Sequence, residues 1–254
     1  MGDDVNKYGN SRRWIVREVD NSLRRLKTDW IDLYQIHRPE LDTDIDETLG
    51  ALSDLVHQGK VRYIGSSTFP ASAIVEAQWV AQERSRERFV CEQPPYSILV
   101  REVEKDVLPT CLRHGMGVIP WSPLAGGWLS GRYRIDDYPE SRRAQMVPRR
   151  YDMAIPGNQR KLEAADLLAQ LAEEHGMTLV EMALAFVIRH PAVTAAIIGP
   201  RTMEHLESQL PAGDVELSDE LLDRIDEIVP PGVTVNPSDG GWDNPNLQPS
   251  ALRR

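Results

Sequence analysis

Hydroxyls, amides, an imidazole, aromatics and glycines recur at five places in the chain. These are His37-Arg38-Pro39, Ser66-Ser67-Thr68-Phe69, Glu92-Gln93-Pro94-Pro95-Tyr96, Trp121-Ser122-Pro123-Leu124-Ala125-Gly126-Gly127 and Gly199-Pro200-Arg201-Thr202. That inventory can hydrogen-bond a planar ring bearing an amide, and its glycines let a backbone come close to a phosphate. Arg201 opens a helix beside Gly199, where helix N–H groups and a guanidinium together favour an anion. Plainer readings stand beside these: His37 as a satisfied structural group, Trp121 as core, and Arg201 as the ion-pair partner of Glu204. The arginine pairs at 142–143 and 149–150 read as solvated loop charges.

Each of the five stretches follows a short apolar run, and the elements between them have helical period. Ile15, Val19, Leu23 and Leu26 share one face of a helix over 11–27. Residues 30–36 read as a buried strand stopped at Pro39. Thr43 or Asp44 then caps a helix with Leu49, Leu52 and Val56 on one face, closed by Gly59. The unit repeats with strands at 61–65, 89–93 and 117–121 and helices at 71–84 and 101–114. Residues 124–158 show no sustained period and read as one long loop, a length that is usually functional. Helices follow at 160–175 and 178–190, the second opened by a Thr178-x-x-Glu181 capping box. A fifth strand over 194–198, a helix at 202–210 and a helix capped by Ser218 with Leu221, Ile225 and Ile228 inward complete the periodic part. From Pro230 the tail is irregular and is expected at the surface or disordered. Five parallel strands, each with about 35 residues per βα unit, fit either an incomplete barrel or a doubly wound open sheet.

The chain of 254 residues holds 41% apolar and 27% charged residues, an ordinary globular balance that fits one large α/β domain over 1–254. Its net charge of −10 makes nucleic acid an unexpected partner. No apolar run reaches the roughly 20 residues of a membrane span, and residues 1–9 show no export signal, so a cytoplasmic location is expected. Cys91 and Cys111 lie in no CxxC or zinc spacing and read as packing. There is no G-x-G-x-x-G after a strand, no phosphate loop of the G-x-x-x-x-G-K-[ST] type and no G-x-S-x-G elbow, which disfavours the Rossmann, Walker and α/β-hydrolase readings.

Four motifs, in order and spacing, then resemble the aldo-keto reductase superfamily. They are Ser22-Leu-Arg-Arg-Leu-Lys-Thr-Asp-Trp-Ile-Asp-Leu-Tyr-Gln-Ile-His-Arg-Pro39, Gly59-Lys-Val-Arg-Tyr-Ile-Gly-Ser-Ser67, Glu92-Gln-Pro-Pro-Tyr96 and Ser122-Pro-Leu-Ala-Gly-Gly127. The resemblance runs from about residue 10 to about residue 228. It implies a (β/α)8 TIM-barrel, here incomplete, that binds NADPH without a Rossmann fold and transfers hydride to an aldehyde or ketone. His37 then matches the histidine that orients the substrate carbonyl and its proton donor. Ser67 and Gln93 match the partners of the nicotinamide carboxamide, with Thr68 where Asn is frequent. Trp121 stands where an aromatic, usually Tyr, stacks on the ring.

Ser122, Leu124, Gly126, Leu129, Gly131 and Arg132 match the loop along the pyrophosphate, with Gly199 beside Arg201. By the same resemblance Arg201 reads the 2′-phosphate, and His205 and Gln209 approach the adenosine. The family's catalytic Asp, Tyr and Lys come from a segment before the equivalent of residue 10, and the adjacent Lys7 and Tyr8 do not match their spacing. The expectation is therefore a chain lacking the N-terminal part of the barrel, with a small carbonyl compound as partner and no metal. The alternative is a catalytically silent NADP(H)-binding or regulatory protein. Oligomeric state is left open.

Overall fold

The computed structural model describes residue 4 and residues 6–139, 142–247 and 249–252. Residues 1–3 and 5, part of the stretch read for an export signal, lie outside the described residues. Two compact units are present. The first comprises the chain up to Gln93 together with Pro109–Val118; the second comprises Pro94–Leu108 and the chain from Ile119 onward.

In the first unit, α1 (Arg12–Leu26), β1 (Ile31–Ile36), α2 (Ile45–His57), β2 (Val61–Ser66), α3 (Ala71–Glu83), β3 (Cys91–Glu92) and β4 (Gly117–Val118) alternate as the sequence periods predict. The strands form one parallel sheet in the order β1-β2-β3-β4. The face of α1 made by Ile15, Val19 and Leu23 is buried, whereas Leu26 is exposed. Asp44 caps α2 by accepting from the Asp46 amide at 2.9 Å, and Gly59 follows the helix with a φ of +74° that glycine adopts at little cost. Leu49, Leu52 and Leu55 on α2 are fully buried, each worth roughly 1.5–3 kcal/mol against exposure. Gly65 is required by close approach: a Cβ there would lie 2.8 Å from the carbonyl oxygen of Cys91 on the next strand.

β3 and β4 are shorter than their apolar runs, although Val90 and Gln93 donate to Ile64 O and Ser66 O at 2.9 Å on either side of β3. Pro94, Pro95 and Pro120 have no N–H to continue a ladder. The segment read as a fifth strand enters the second unit and makes a single parallel bridge, Ile197 with Trp121, its N–H donating to Pro120 O at 2.9 Å. That ladder ends at once because Ser122 turns away at φ +60° and Pro123 follows.

The predicted helix 101–114 is a 3-10 turn at Glu102–Glu104 followed by α4 (Val107–Arg113). The long loop has local structure: a 3-10 turn at Ala125–Gly127, α5 (Arg142–Met146) and another turn at Pro148–Arg150. Helices α6 (Pro156–Glu174), α7 (Leu179–Arg189), α8 (Met203–Glu207) and α9 (Asp219–Ile228) complete the second unit. Thr178 and Glu181 form the expected reciprocal capping box, and Ser218 Oγ accepts from the Leu221 amide at 3.1 Å. Leu221 and Ile225 are buried, and Ile228 only partly so.

The tail is tied down rather than loose. Arg101 N–H donates to Val233 O, Val235 N–H donates to Leu99 O, and the buried Asn236 donates to Asn158 Oδ1 at 2.8 Å. Among the described residues no helix is long and apolar enough to cross a membrane, and no cluster of ligating side chains could hold a metal. Cys91 and Cys111 are buried free thiols, with burial pushing each up to about 12.

Candidate functional site

In the first unit the ends of β1, β2 and β3 bring His37, Ser67, Thr68 and Gln93 onto neighbouring strands. Ser67 Oγ donates to Gln93 O at 2.9 Å, and the Thr68 amide donates to the same oxygen at 3.2 Å. Gln93 Nε2 donates to Gln35 Oε1 at 2.9 Å, and Gln35 Nε2 donates to Ser66 O at 3.1 Å. The Gln93 amide is thus oriented by a second glutamine, which sequence spacing did not single out. Thr68 holds φ at +59°, a sparsely allowed conformation for a β-branched residue. His37 is exposed, and its ring makes no hydrogen bond among the described residues. Partial desolvation, then the Arg38 charge beside it, hold its pKa below the ordinary histidine value. It is therefore neutral at pH 7 and can donate or accept a hydrogen bond.

Behind these side chains Glu92 is fully buried. Its carboxylate accepts from Ser66 Oγ in a short contact and from the Phe69 amide at 3.2 Å. Burial pushes its carboxyl up to about 7, while the hydrogen bonds pull the other way. Glu92 stood in the strand-tip list without a role. Its sequence signal was an acid at a position the neighbouring pattern buries.

In the second unit the candidate residues line a cleft of about 690 Å³. Ser122, Leu124, Gly126, Arg132, Gly199, Arg201, His205 and Gln209 are all on its wall, together with Arg143. Ser122 Oγ accepts from the Gly126 amide at 2.9 Å, and residues 122, 125, 126, 127 and 131 all hold positive φ. At Gly126 a side chain would also crowd Tyr151 Oη, 3.2 Å from a Cβ. Among the described residues three arginines and a histidine line the cleft, and no carboxylate does. Among the described residues Arg132, Arg143 and Arg201 make no ion pair, so the pairing of Arg201 with Glu204 is not formed.

The helix expected to open at Arg201 is shorter than read, and its cap is internal. Thr202 Oγ1 accepts from the His205 amide at 3.2 Å, so that N–H is already used. Arg143 is a cleft residue rather than a merely solvated charge, and Arg150 lies 3.6 Å from Asp239.

Three candidates lie off the wall of this cleft. Leu129 is fully buried core, Gly131 flanks the wall, and Trp121 is half-buried in a small adjoining cavity with Tyr96, Trp128, Tyr151, Lys161 and Asp239. There Lys161 donates to Asp239 Oδ2 at 2.8 Å and sits 4.8 Å from the Trp128 ring centre.

Residues 1–230 match the aldo/keto reductase family. The chain belongs to that family. It is similar to an uncharacterized oxidoreductase, YrpG, of Bacillus subtilis (strain 168), 40% identical over 217 residues that span 85% of this chain and 64% of that protein. It is also similar to the putative aryl-alcohol dehydrogenase AAD14 of Saccharomyces cerevisiae, at 32% over 90% of this chain and 60% of that protein. A third relative, the versiconal hemiacetal acetate reductase of Aspergillus parasiticus, is 31% identical over 89% of this chain and 65% of its own length. The chain thus spans less than two thirds of the length of these three proteins. The aldo/keto reductase fold is a (β/α)8 barrel, and the four parallel strands with flanking helices are the part of that α/β plan described above. Those three proteins are named as an oxidoreductase, a dehydrogenase and a reductase.

Proposed function

We propose that this aldo/keto reductase chain binds NADP(H) and that the protein transfers hydride between the nicotinamide and a small aldehyde, ketone or alcohol. The observation that supports this best is the arginine-lined cleft. A chain of net charge −10 has an open wall with Arg132, Arg143, Arg201 and His205 on it and, among the described residues, no carboxylate. The residues fit a phosphorylated dinucleotide: guanidiniums without an ion pair among the described residues suit its anionic groups, and Gln209 Oε1, buried on the cleft with no hydrogen-bond partner among those residues, is an acceptor that a ligand donor could meet.

In this reading Arg201 selects the 2′-phosphate, and Ser122 with Arg132 holds the pyrophosphate. Ser67, Thr68 and Gln93 take the carboxamide, with the Gln35 bond keeping the Gln93 amide turned one way. When bound, the cofactor supplies the hydride. Neutral His37 orients the carbonyl oxygen by a hydrogen bond. The partner is a small carbonyl compound rather than nucleic acid or membrane, and the location is cytoplasmic.

Titration of the purified chain with NADPH and NADH, followed by turnover of aromatic aldehydes, tests the reading. Preferential NADPH binding is expected, and no binding of either dinucleotide overturns it. Binding without turnover assigns the chain to the silent dinucleotide-binding alternative.

A further inference from the structure

Five hydrogen bonds join the end of β3 to residues 66–69, and two of them end on one buried carboxylate. Gln93 receives Ser67 Oγ and the Thr68 amide on its carbonyl and returns its own amide to Ser66 O. Glu92 receives Ser66 Oγ on one oxygen and the Phe69 amide on the other. The segment so gripped contains Thr68 at φ +59°, a conformation that persists only where its surroundings hold it. Ser67 and Thr68 are therefore presented by a turn whose two flanks, Ser66 and Phe69, are both anchored on Glu92.

We propose that Glu92 is the positioning residue of this turn: its ionised carboxylate holds residues 66–69 in the shape that takes the dinucleotide amide, and its protonation weakens dinucleotide binding. The inference rests on the NADP(H) reading above and adds a regulator to it. An ionised carboxylate accepts both bonds with charge assistance. Once protonated it must turn one oxygen into a donor, so the Ser66 hydroxyl reverses and loses its acceptor.

The groups facing Glu92 do not titrate in its place. Cys91 beside it on β3 and Cys111 on α4 are both held up at about 12 by burial, and Arg38 after β1 stays cationic. His37, next to Arg38, titrates below its ordinary range. Glu92 changes charge near neutrality, within the range where a binding curve can follow it.

The test measures NADP⁺ binding to the full chain between pH 5.5 and pH 8.5 by tryptophan fluorescence. NADP⁺ is chosen because the reduced form decays in acid. Charge-assisted bonds are roughly twice as strong as neutral ones, so affinity should fall by about fivefold as pH drops through about 7. Glu92→Gln should remove the step and hold the weaker affinity throughout, while the titration of the 2′-phosphate stays common to both proteins.

At pH 7 calorimetry in buffers of different ionisation enthalpy should show a fraction of a proton released on binding, and E92Q should lose that release. Ser66→Ala, which leaves the carboxylate in place but removes its hydroxyl donor, should move the step to higher pH by about one unit, and it serves if E92Q does not fold. Equal pH profiles in wild type and E92Q, or binding by both with no step in either, overturn the proposal and leave the NADP(H) reading standing. Absence of binding by the wild-type chain at every pH overturns both.

Discussion

Replacing Arg201 with alanine is the sharpest probe of the cleft, because it should separate two dinucleotides that differ by one phosphate. Arg201 is exposed on the wall and, among the described residues, makes no ion pair that its loss would break. The substitution therefore leaves no acid stranded, and the measured effect is that of the missing contact. A hydrogen bond to a charged group is worth about 1.5–3 kcal/mol net, and exposure places Arg201 at the lower end. About 1.5 kcal/mol corresponds to roughly tenfold. NADPH should bind R201A about tenfold more weakly, with NADH within about twofold of wild type, both read by fluorescence titration at fixed ionic strength. Raising salt should weaken NADPH binding by wild type more than by R201A, because one screened charge pair is already gone. Equal losses for NADPH and NADH would show that Arg201 supports the cleft without reading the phosphate.

Three further outcomes follow from buried groups and strained backbone. The Glu92 carboxyl, at about 7 when folded against 4.5 when exposed, keeps a proton that the unfolded chain loses first. Its contribution to stability is present below about pH 4.5 and lost as pH rises through about 7, on the order of 3 kcal/mol at most. Urea unfolding of E92Q should lack this decline and give a chain more stable than wild type at pH 8. Lys161→Met leaves Asp239 beside Arg150 without its closer partner and should cost about 3–5 kcal/mol, part of which Asp239→Asn in the same chain restores; additive losses in a double-mutant cycle would deny the pair. Ala125→Gly, at φ +50°, should raise stability by about 0.5–1 kcal/mol, and a loss would show that the turn at 125 is unstrained.

Much of the helical framework was legible because burial of one face imposes a period. Ile15, Val19 and Leu23 fixed α1, and Thr178 with Glu181 marked the start of α7 to the residue. The strands were legible as positions but not as lengths. Apolar runs at 89–93 and 117–121 marked where chain passes through the sheet, while Pro94, Pro95 and Pro120 limited how much of each run could pair. The loop over 124–158 hid its order because aromatic clustering has no period. Trp128 stacks on Tyr151 at 5.3 Å and packs on Tyr133 at 4.9 Å, across spacings that resemble no helix or strand. The tail looked irregular for the same reason, since Asn236 and Asp239 are held by single hydrogen bonds to α6. At the candidate site, residue types at strand ends were readable, whereas the Gln35 contact, the burial of Glu92 and the place of Arg143 depend on which side chains meet.

The charge balance and the cleft look contradictory until distance is considered. Summed over the chain, 39 acidic against 29 basic residues repel an anionic dinucleotide. At physiological salt that repulsion is screened beyond about 8 Å, so the groups on the cleft wall decide binding. Placing Arg132, Arg143 and Arg201 there, with no facing carboxylate among the described residues, leaves each without the kind of partner that Arg12, Arg25, Arg62 and Arg86 have. An arginine left without a carboxylate adds repulsion among its neighbours and gains little for folding. The arrangement makes physical sense where an anion completes it, and this is why the grouping of three arginines on one wall carries more weight than the presence of any one of them.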